Sequence, residues 1–164
     1  MCNRQFVKTA ITRRGFSILA KGENIMDYQE SITINRPITE VWAFFEELRN
    51  DFGWQADLLR QKMLYKSPTG IGTTGREKRK MLGESTWECT EIIHEKKVSF
   101  KSTSSMIPYE GSYLLESVEG GTRFAYVVHL ELSFLWKLVA PFVKYSARKQ
   151  LVINLYRLKD MLEM

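Results

Sequence analysis

Residues 70–75 read GIGTTG (Gly70-Ile71-Gly72-Thr73-Thr74-Gly75), and Glu95 follows twenty residues after the last glycine. This is the G-x-G-x-x-G spacing with which dinucleotide-binding folds cradle a pyrophosphate. The fingerprint works only behind a buried, near-continuously apolar strand and at the start of an amphipathic helix. Here the preceding stretch, KMLYKSPT at 62–69, puts Lys66 and Pro68 where such a strand should be deepest. The following stretch, REKRKML at 76–82, is stopped by Gly83 and is too short and too charged to pack a helix on a sheet. A nucleotide loop is therefore rejected. The glycines belong to a hairpin, where they relieve the turn and permit a bulge.

Working outward from that hairpin, the pattern on both sides is β. Strands are predicted near 61–66, 73–81, 85–93, 97–104, 109–118 and 122–132, separated by turn signals such as Ser67-Pro68-Thr69-Gly70, Leu82-Gly83-Glu84 and Glu119-Gly120-Gly121. The last strand alternates most clearly, with Phe124, Tyr126, Val128, Leu130 and Leu132 on one face and Ala125, Val127, His129 and Glu131 on the other. Upstream, YQESITIN at 28–35 reads as a first strand. Pro37 then opens a short helix whose apolar positions Ile38, Val41, Trp42, Phe45 and Leu48 recur at helical spacing. Gly53 and Trp54 follow in a break, with room for a second helical turn up to about Leu59. Downstream, Leu151, Leu155, Leu158 and Leu162 form a helical stripe. The stripe changes phase near Pro141, which predicts a short lead-in helix and then a long helix with Pro141 in its first turn.

Composition narrows the function classes. The 164 residues suit one domain. The formal charge of +5 is concentrated at the amino end, where Arg4, Lys8, Arg13, Arg14 and Lys21 face Glu23 alone. Residues 1–25 are read as a disordered basic extension and 26–164 as the domain. The body is nearly neutral, which argues against a nucleic-acid binder. The basic run Arg76, Lys78, Arg79, Lys80 is read as the solvated face of an edge strand, with phosphate headgroups as the sharper alternative. TRRGFS at 12–17 lacks the apolar segment of an export signal. Cys2 and Cys89 form no metal or disulfide pattern, and a reducing, cytoplasmic setting fits them. No run reaches the ~18 apolar residues of a membrane span.

One strand, two short helices, a six-stranded meander and a long final helix make an α+β helix-grip architecture, a curved seven-stranded antiparallel sheet wrapped around the C-terminal helix. At this point the chain resembles the START-like (SRPBCC) superfamily, in particular its polyketide cyclase/dehydrase branch. The resemblance covers about Tyr28 to Glu163 and rests on INRPITEVWAFF, Trp54, the GIGTTG hairpin, EGGTRFAY and LYRLKDMLE in that order. It implies an apolar cavity between sheet and helix, of the kind that takes lipids, quinones, hormones or polyketides. Alternation then assigns Phe100, Ser102, Tyr113, Leu115, Tyr126 and Val128 to the inner face. Trp54, Met106, Tyr109, Ala147, Arg148 and Leu151 join them from outside it. Tyr109, Tyr113 and Tyr126 stand out, because a buried phenol needs a hydrogen-bond partner that a ligand or water can supply.

No catalytic set is evident. His94 sits in a turn, His129 falls on the outer face beside Glu131, and no nucleophile elbow or metal spacing occurs. No catalytic residue, cofactor or metal is therefore expected. The expected partner is a small hydrophobic ligand, held by a carrier or sensor, with transient membrane contact left open and no stable insertion. The alternative is a polyketide cyclase- or dehydratase-like enzyme in the same cavity, and a weaker one is a protein-interaction module using Leu138, Phe142 and Tyr145.

Overall fold

The computed structural model describes residues 10–12, 15–17, 25–47, 50–64, 70–133 and 138–164. Two short strands, β1 (Ala10–Thr12) and β2 (Gly15–Ser17), pair with each other. The main sheet consists of β3 (Ile25–Ile34), β4 (Leu58–Met63), β5 (Thr74–Arg79), β6 (Gly83–Ile93), β7 (Lys97–Ser104), β8 (Tyr109–Val118) and β9 (Gly121–Glu131). Its order is β3-β9-β8-β7-β6-β5-β4, antiparallel throughout. The meander β4 to β9 is thus laid down in sequence, and β3 closes it on the β9 side. Between β3 and β4 lie α1 (Ile38–Phe45) and α2 (Asp51–Trp54), and the chain ends in α3 (Ala140–Glu163). The helix-grip architecture expected from the sequence is the one observed. No helix among the described residues is long and apolar enough to cross a membrane.

The GIGTTG segment leads into β5. Gly72 has φ of +86°, a left-handed conformation that glycine adopts without penalty. Its amide donates to the Cys89 carbonyl at 2.8 Å, tying the turn to β6. Gly75 serves differently. It pairs with Trp87 across the β5–β6 ladder, and a Cβ there would lie 2.5 Å from the indole. Gly111 on β8 has the same relation to Phe100 on β7, with a Cβ that would meet the ring at 2.4 Å. The register shifts that bend the sheet occur at Leu58/Arg60, Thr86/Trp87 and Cys89/Glu91, not at the glycines.

β5 also corrects the reading of the basic run. It is an interior strand, since β4 covers its far side. Arg76, Lys78 and Lys80 are exposed as expected, but alternation turns Gly75, Glu77 and Arg79 inward.

The core fills the concave side. α1 contributes Val41, Trp42 and Phe45, and Phe45 stacks parallel on Phe124 of β9 at 4.7 Å between centroids. Trp54 closes the aromatic cluster, edge-on to Phe45, Tyr113, Phe124 and Tyr126. Such pairs add about 0.5–1.5 kcal/mol each beyond the area they bury. The convex face is mixed, and there Leu114 of β8 with Ala125 and Val127 of β9 form a small separate cluster. α3 begins with Pro141 in its first turn, where a missing amide costs nothing. From Leu151 onward it buries Leu151, Asn154, Leu155 and Leu158, whereas before that it buries Val143 alone. The lead-in helix predicted before Pro141 falls on residues 134–137, outside the described residues.

Candidate functional site

Where the first half of α3 stands over the sheet, the core is not solid. A cavity of about 170 Å³ lies between the helix and strands β3, β5, β8 and β9. An apolar cavity of about 150 Å³ is enough to take up benzene. Val128 and Leu130 form its back, Val143, Ala147 and Leu151 its helical wall, and Lys80, Met81 and Leu82 of the β5–β6 turn its rim. Small or branched side chains on α3 leave this space, because Ala147 stands one turn before Leu151 with only a methyl group to offer.

The cavity has a polar end built by Tyr28, Asp57, Arg79, Tyr109, Tyr126, Gln150 and Asn154. Arg79 is its centre, with a side chain only 11% exposed. Its Nε donates to Glu77 Oε1 at 2.7 Å, its Nη2 to Glu77 Oε2 at 3.2 Å and its Nη1 to Asp57 Oδ2 at 2.9 Å. Burial opposes the guanidinium charge, but Glu77, Tyr126 and Asp57 more than offset it and hold the group protonated. Burial likewise pushes Asp57 upward, and the Arg79 charge and the Asn154 amide outweigh it, so the carboxyl stays below its usual range. Asn154 has a second task. Its Nδ2 donates to Asp57 at 2.8 Å while its Oδ1 accepts the Ala56 amide at 2.9 Å, which fastens the α2–β4 loop to α3.

Behind Tyr109 lies a second, smaller space of about 10 Å³, lined by Asp51, Glu77, Arg79, Trp87, Phe100, Tyr109 and Tyr113. That is room for one water molecule. Asp51 accepts from Tyr113 Oη at 2.6 Å and from Trp54 Nε1 at 3.1 Å. Burial raises its pKa to about 7 in spite of those two donors. Gln55 donates through Nε2 to Tyr113 Oη at 2.9 Å, and its Oε1 is the one buried side-chain acceptor among the described residues without a partner.

The three tyrosines singled out from sequence differ in this respect. Tyr109 donates to Glu77 at 2.8 Å and lies 3.3 Å from Ser85 Oγ, and Tyr113 is held by Asp51 and Gln55. Tyr126 lines the cavity, and its hydroxyl meets no hydrogen-bond partner among the described residues. The same is true of Tyr28, whose neighbour across the ladder is Val128. Burial pushes the Tyr28 phenol to about 12 and the Tyr126 phenol well above its ordinary value, so both remain O–H donors.

Of the other expected contacts, Val128, Ala147 and Leu151 line the cavity together with Tyr109 and Tyr126. Phe100 and Tyr113 line the smaller space. Trp54 and Leu115 lie in the packed core. Ser102 accepts the Tyr109 amide at 2.9 Å. Met106 is 61% exposed, and Arg148 turns outward to pair with Glu30. His94 is exposed against Trp42, and His129 pairs with Asp27 at 2.6 Å across the β3–β9 ladder. The residues that sequence reasoning missed include Tyr28, Asp51, Asp57, Glu77, Arg79 and Asn154. Period-two alternation from Gly75 points to Glu77 and Arg79, and the 147–151–154–158 helical spacing points to Asn154. No three potential metal ligands gather among the described residues.

Comparisons with known proteins agree with this geometry. Residues 26–163 match the family model described as polyketide cyclase / dehydrase and lipid transport. No curated protein sequence matches significantly. Among solved structures the chain is similar to TTHA0849 from Thermus thermophilus, with TM-score 0.70 and 17% identity over 84% of this chain and 97% of that one. It is also similar to the di-domain ARO/CYC BexL of the BE-7585A biosynthetic pathway, with TM-score 0.69 and 15% identity over 87% of this chain. It covers 52% of BexL, about half of that protein's length. Identities this low establish the shared fold alone. The family match spans nearly the whole described domain, and the chain belongs to the polyketide cyclase/dehydrase and lipid transport family.

Proposed function

We propose that the protein binds a small, largely apolar molecule of lipid, quinone or polyketide type between the sheet and α3, as a carrier or sensor. The observation that carries this reading is the pair of unpartnered phenols at the polar end of a cavity whose remaining walls are mostly apolar. Tyr28 and Tyr126 keep their protons and have no partner among the described residues, so they suit a ligand oxygen that accepts. A carbonyl or hydroxyl on an apolar ring or chain meets both demands. Binding sites commonly take this form, with mostly apolar walls and a few placed polar groups fixing orientation.

The test is native mass spectrometry of the purified full chain, followed by titration with 2-naphthol, a fluorescent bicyclic molecule with one oxygen. Saturable binding that weakens in Tyr126→Phe supports the reading. Absence of both a co-purified molecule and saturable naphthol binding overturns it.

A second reading, a cyclase- or dehydratase-like enzyme, is favoured by one observation. Asp51 has a pKa of about 7 and shares a water-sized space with Arg79, Tyr109 and Tyr113, and proton transfer is best served by groups that titrate near the working pH. It stands behind Tyr109 and Tyr113, one layer removed from the larger cavity, which favours the carrier. Asp51→Asn separates the two: turnover of a bound polyketide substrate would stop, while naphthol binding would persist.

A further inference from the structure

The first turns of α3 carry a surface that neither the core nor the cavity uses. Phe142 and Tyr145 are 70% and 69% exposed, and Leu138, in the turn just before the helix, is 78% exposed. At 100° per residue Phe142, Tyr145 and Lys149 share one stripe. Val143, Ala147 and Leu151, which face the cavity, occupy the opposite side. An apolar and aromatic stripe therefore points away from the sheet, on the part of the helix that buries least.

Charge tells what covers it. From Leu132 to Lys159 the sequence has six basic side chains and no Asp or Glu. Arg148 is engaged by Glu30, Arg157 by the Gly53 carbonyl and Lys159 by Glu163. Lys149, exposed on the stripe itself, meets no acidic partner among the described residues, whereas Lys144 falls on the side of Ala147 and Leu151. Large apolar side chains flanked only by cations are the composition of a helix lying in a membrane interface, with rings at the headgroup boundary and lysines on the phosphates.

We propose that the amino-terminal part of α3 docks on an anionic lipid surface, inserting Leu138, Phe142 and Tyr145 and setting Lys149, which lies between the two rings on the stripe, against the headgroups. The cavity rim lies close by. Met81 is 51% exposed beside Lys80 at the mouth, and the helix that docks is also the wall of the cavity. Docking would bring the mouth within about one helix diameter, ~10 Å, of the bilayer. The inference does not depend on what the cavity binds.

The experiment is flotation of the full chain with phosphatidylcholine vesicles, with and without phosphatidylglycerol, at low and at physiological salt. The expected result is partition onto the mixed vesicles that exceeds partition onto phosphatidylcholine by roughly tenfold or more and falls as salt rises. Leu138→Glu with Phe142→Glu should abolish it, and Lys149→Glu should weaken the preference for anionic lipid. All three side chains are exposed, so melting temperature and 2-naphthol binding should be retained in both variants. The proposal is overturned if the wild type ignores anionic vesicles at low salt, or if the double glutamate variant floats as the wild type does. It is equally overturned if light scattering shows self-association through this stripe without vesicle binding. Ala147→Trp provides the reverse control, losing naphthol while still floating, so failure of the cavity reading and failure of the docking reading give different patterns.

Discussion

Ala147→Trp separates a cavity from a loosely drawn core. Ala147 is half-buried and lines the 170 Å³ space between Val143 and Leu151, opposite Tyr126 and Val128. An indole is somewhat larger than benzene, for which about 150 Å³ suffices, so the new side chain nearly fills the void. Its ring gains contacts that the methyl group lacks, and displaces no packed neighbour. In a filled core the same change would overpack at about 1–3 kcal/mol. For a chain of this length each kcal/mol lowers the melting temperature by about 2–4 °C. We expect a melting temperature within about 3 °C of wild type, since little strain is introduced. Affinity for 2-naphthol should fall at least tenfold, a loss of about 1.4 kcal/mol or more. Thermal unfolding by circular dichroism and a fluorescence titration measure the two quantities on the same sample. A fall beyond roughly 10 °C, the scale of full overpacking, would mean that the space closes in solution. Unchanged melting with unchanged binding would mean that naphthol binds elsewhere.

Asp51 gives a pH signature. Its pKa of about 7 in the folded state stands above the ~3.9 of an unfolded chain, so between about pH 4 and 7 the folded state holds a proton that the unfolded state has lost. Stability should fall as pH rises across that window, by up to about 4 kcal/mol at ~1.4 kcal/mol per tenfold change in acidity. Asp51→Asn should flatten the slope in urea unfolding between pH 5 and 8, and an unaltered slope would contradict the assignment. Asp57 has the opposite sign, since its lowered pKa removes stability only as pH falls below about 4. Tyr109→Phe should cost about 1–3 kcal/mol by stripping a donor from buried Glu77. Tyr126→Phe, with no bond to lose, should stay within ~0.5 kcal/mol of wild type; equal costs would mean that the Tyr126 hydroxyl has a partner. Millimolar NAD or ATP should leave the melting temperature unchanged, because a ligand that binds only the native state must raise it, and a saturable rise would restore the phosphate-loop reading of GIGTTG.

The fold was legible because its signals are local and repeat. Turn residues punctuate each strand, Phe124 to Leu132 alternate plainly, and Pro141 marks the start of α3. The resemblance implied a cavity, and strand and helix phase assigned Val128, Ala147 and Leu151 to its side. Its polar end was not legible. In TGREKR every residue after the glycine is charged, so hydropathy carries no alternation and Arg79 looked like its solvated neighbours. Asp57 and Tyr126, which flank it, come from elsewhere in the chain, so its burial is a long-range property. Asp51 was hidden because a short loop helix has too few residues to show a face, and its raised pKa comes from burial among residues distant in sequence, such as Tyr113 sixty-two positions away. Arg148 shows the converse. Helical phase placed it beside Ala147, but one residue is a rotation of about 100°, enough to deliver its charge to Glu30 instead.

Gly75 and Gly111 bear on the shape of the hollow in a way that concerns wall thickness. On each, an aromatic ring from the adjacent strand lies down where a Cβ would otherwise stand, Trp87 over one and Phe100 over the other. Two of the bulkiest side chains on the concave surface are thereby laid flat as lining, like panels against a hull. Were either glycine an alanine, the ring above it would have to lift away from the sheet, toward the water-sized space shared with Asp51 and Arg79. The room available behind Tyr109 thus depends on two absent methyl groups, one of them at Gly111 on β8, a strand that carries neither Asp51 nor Arg79.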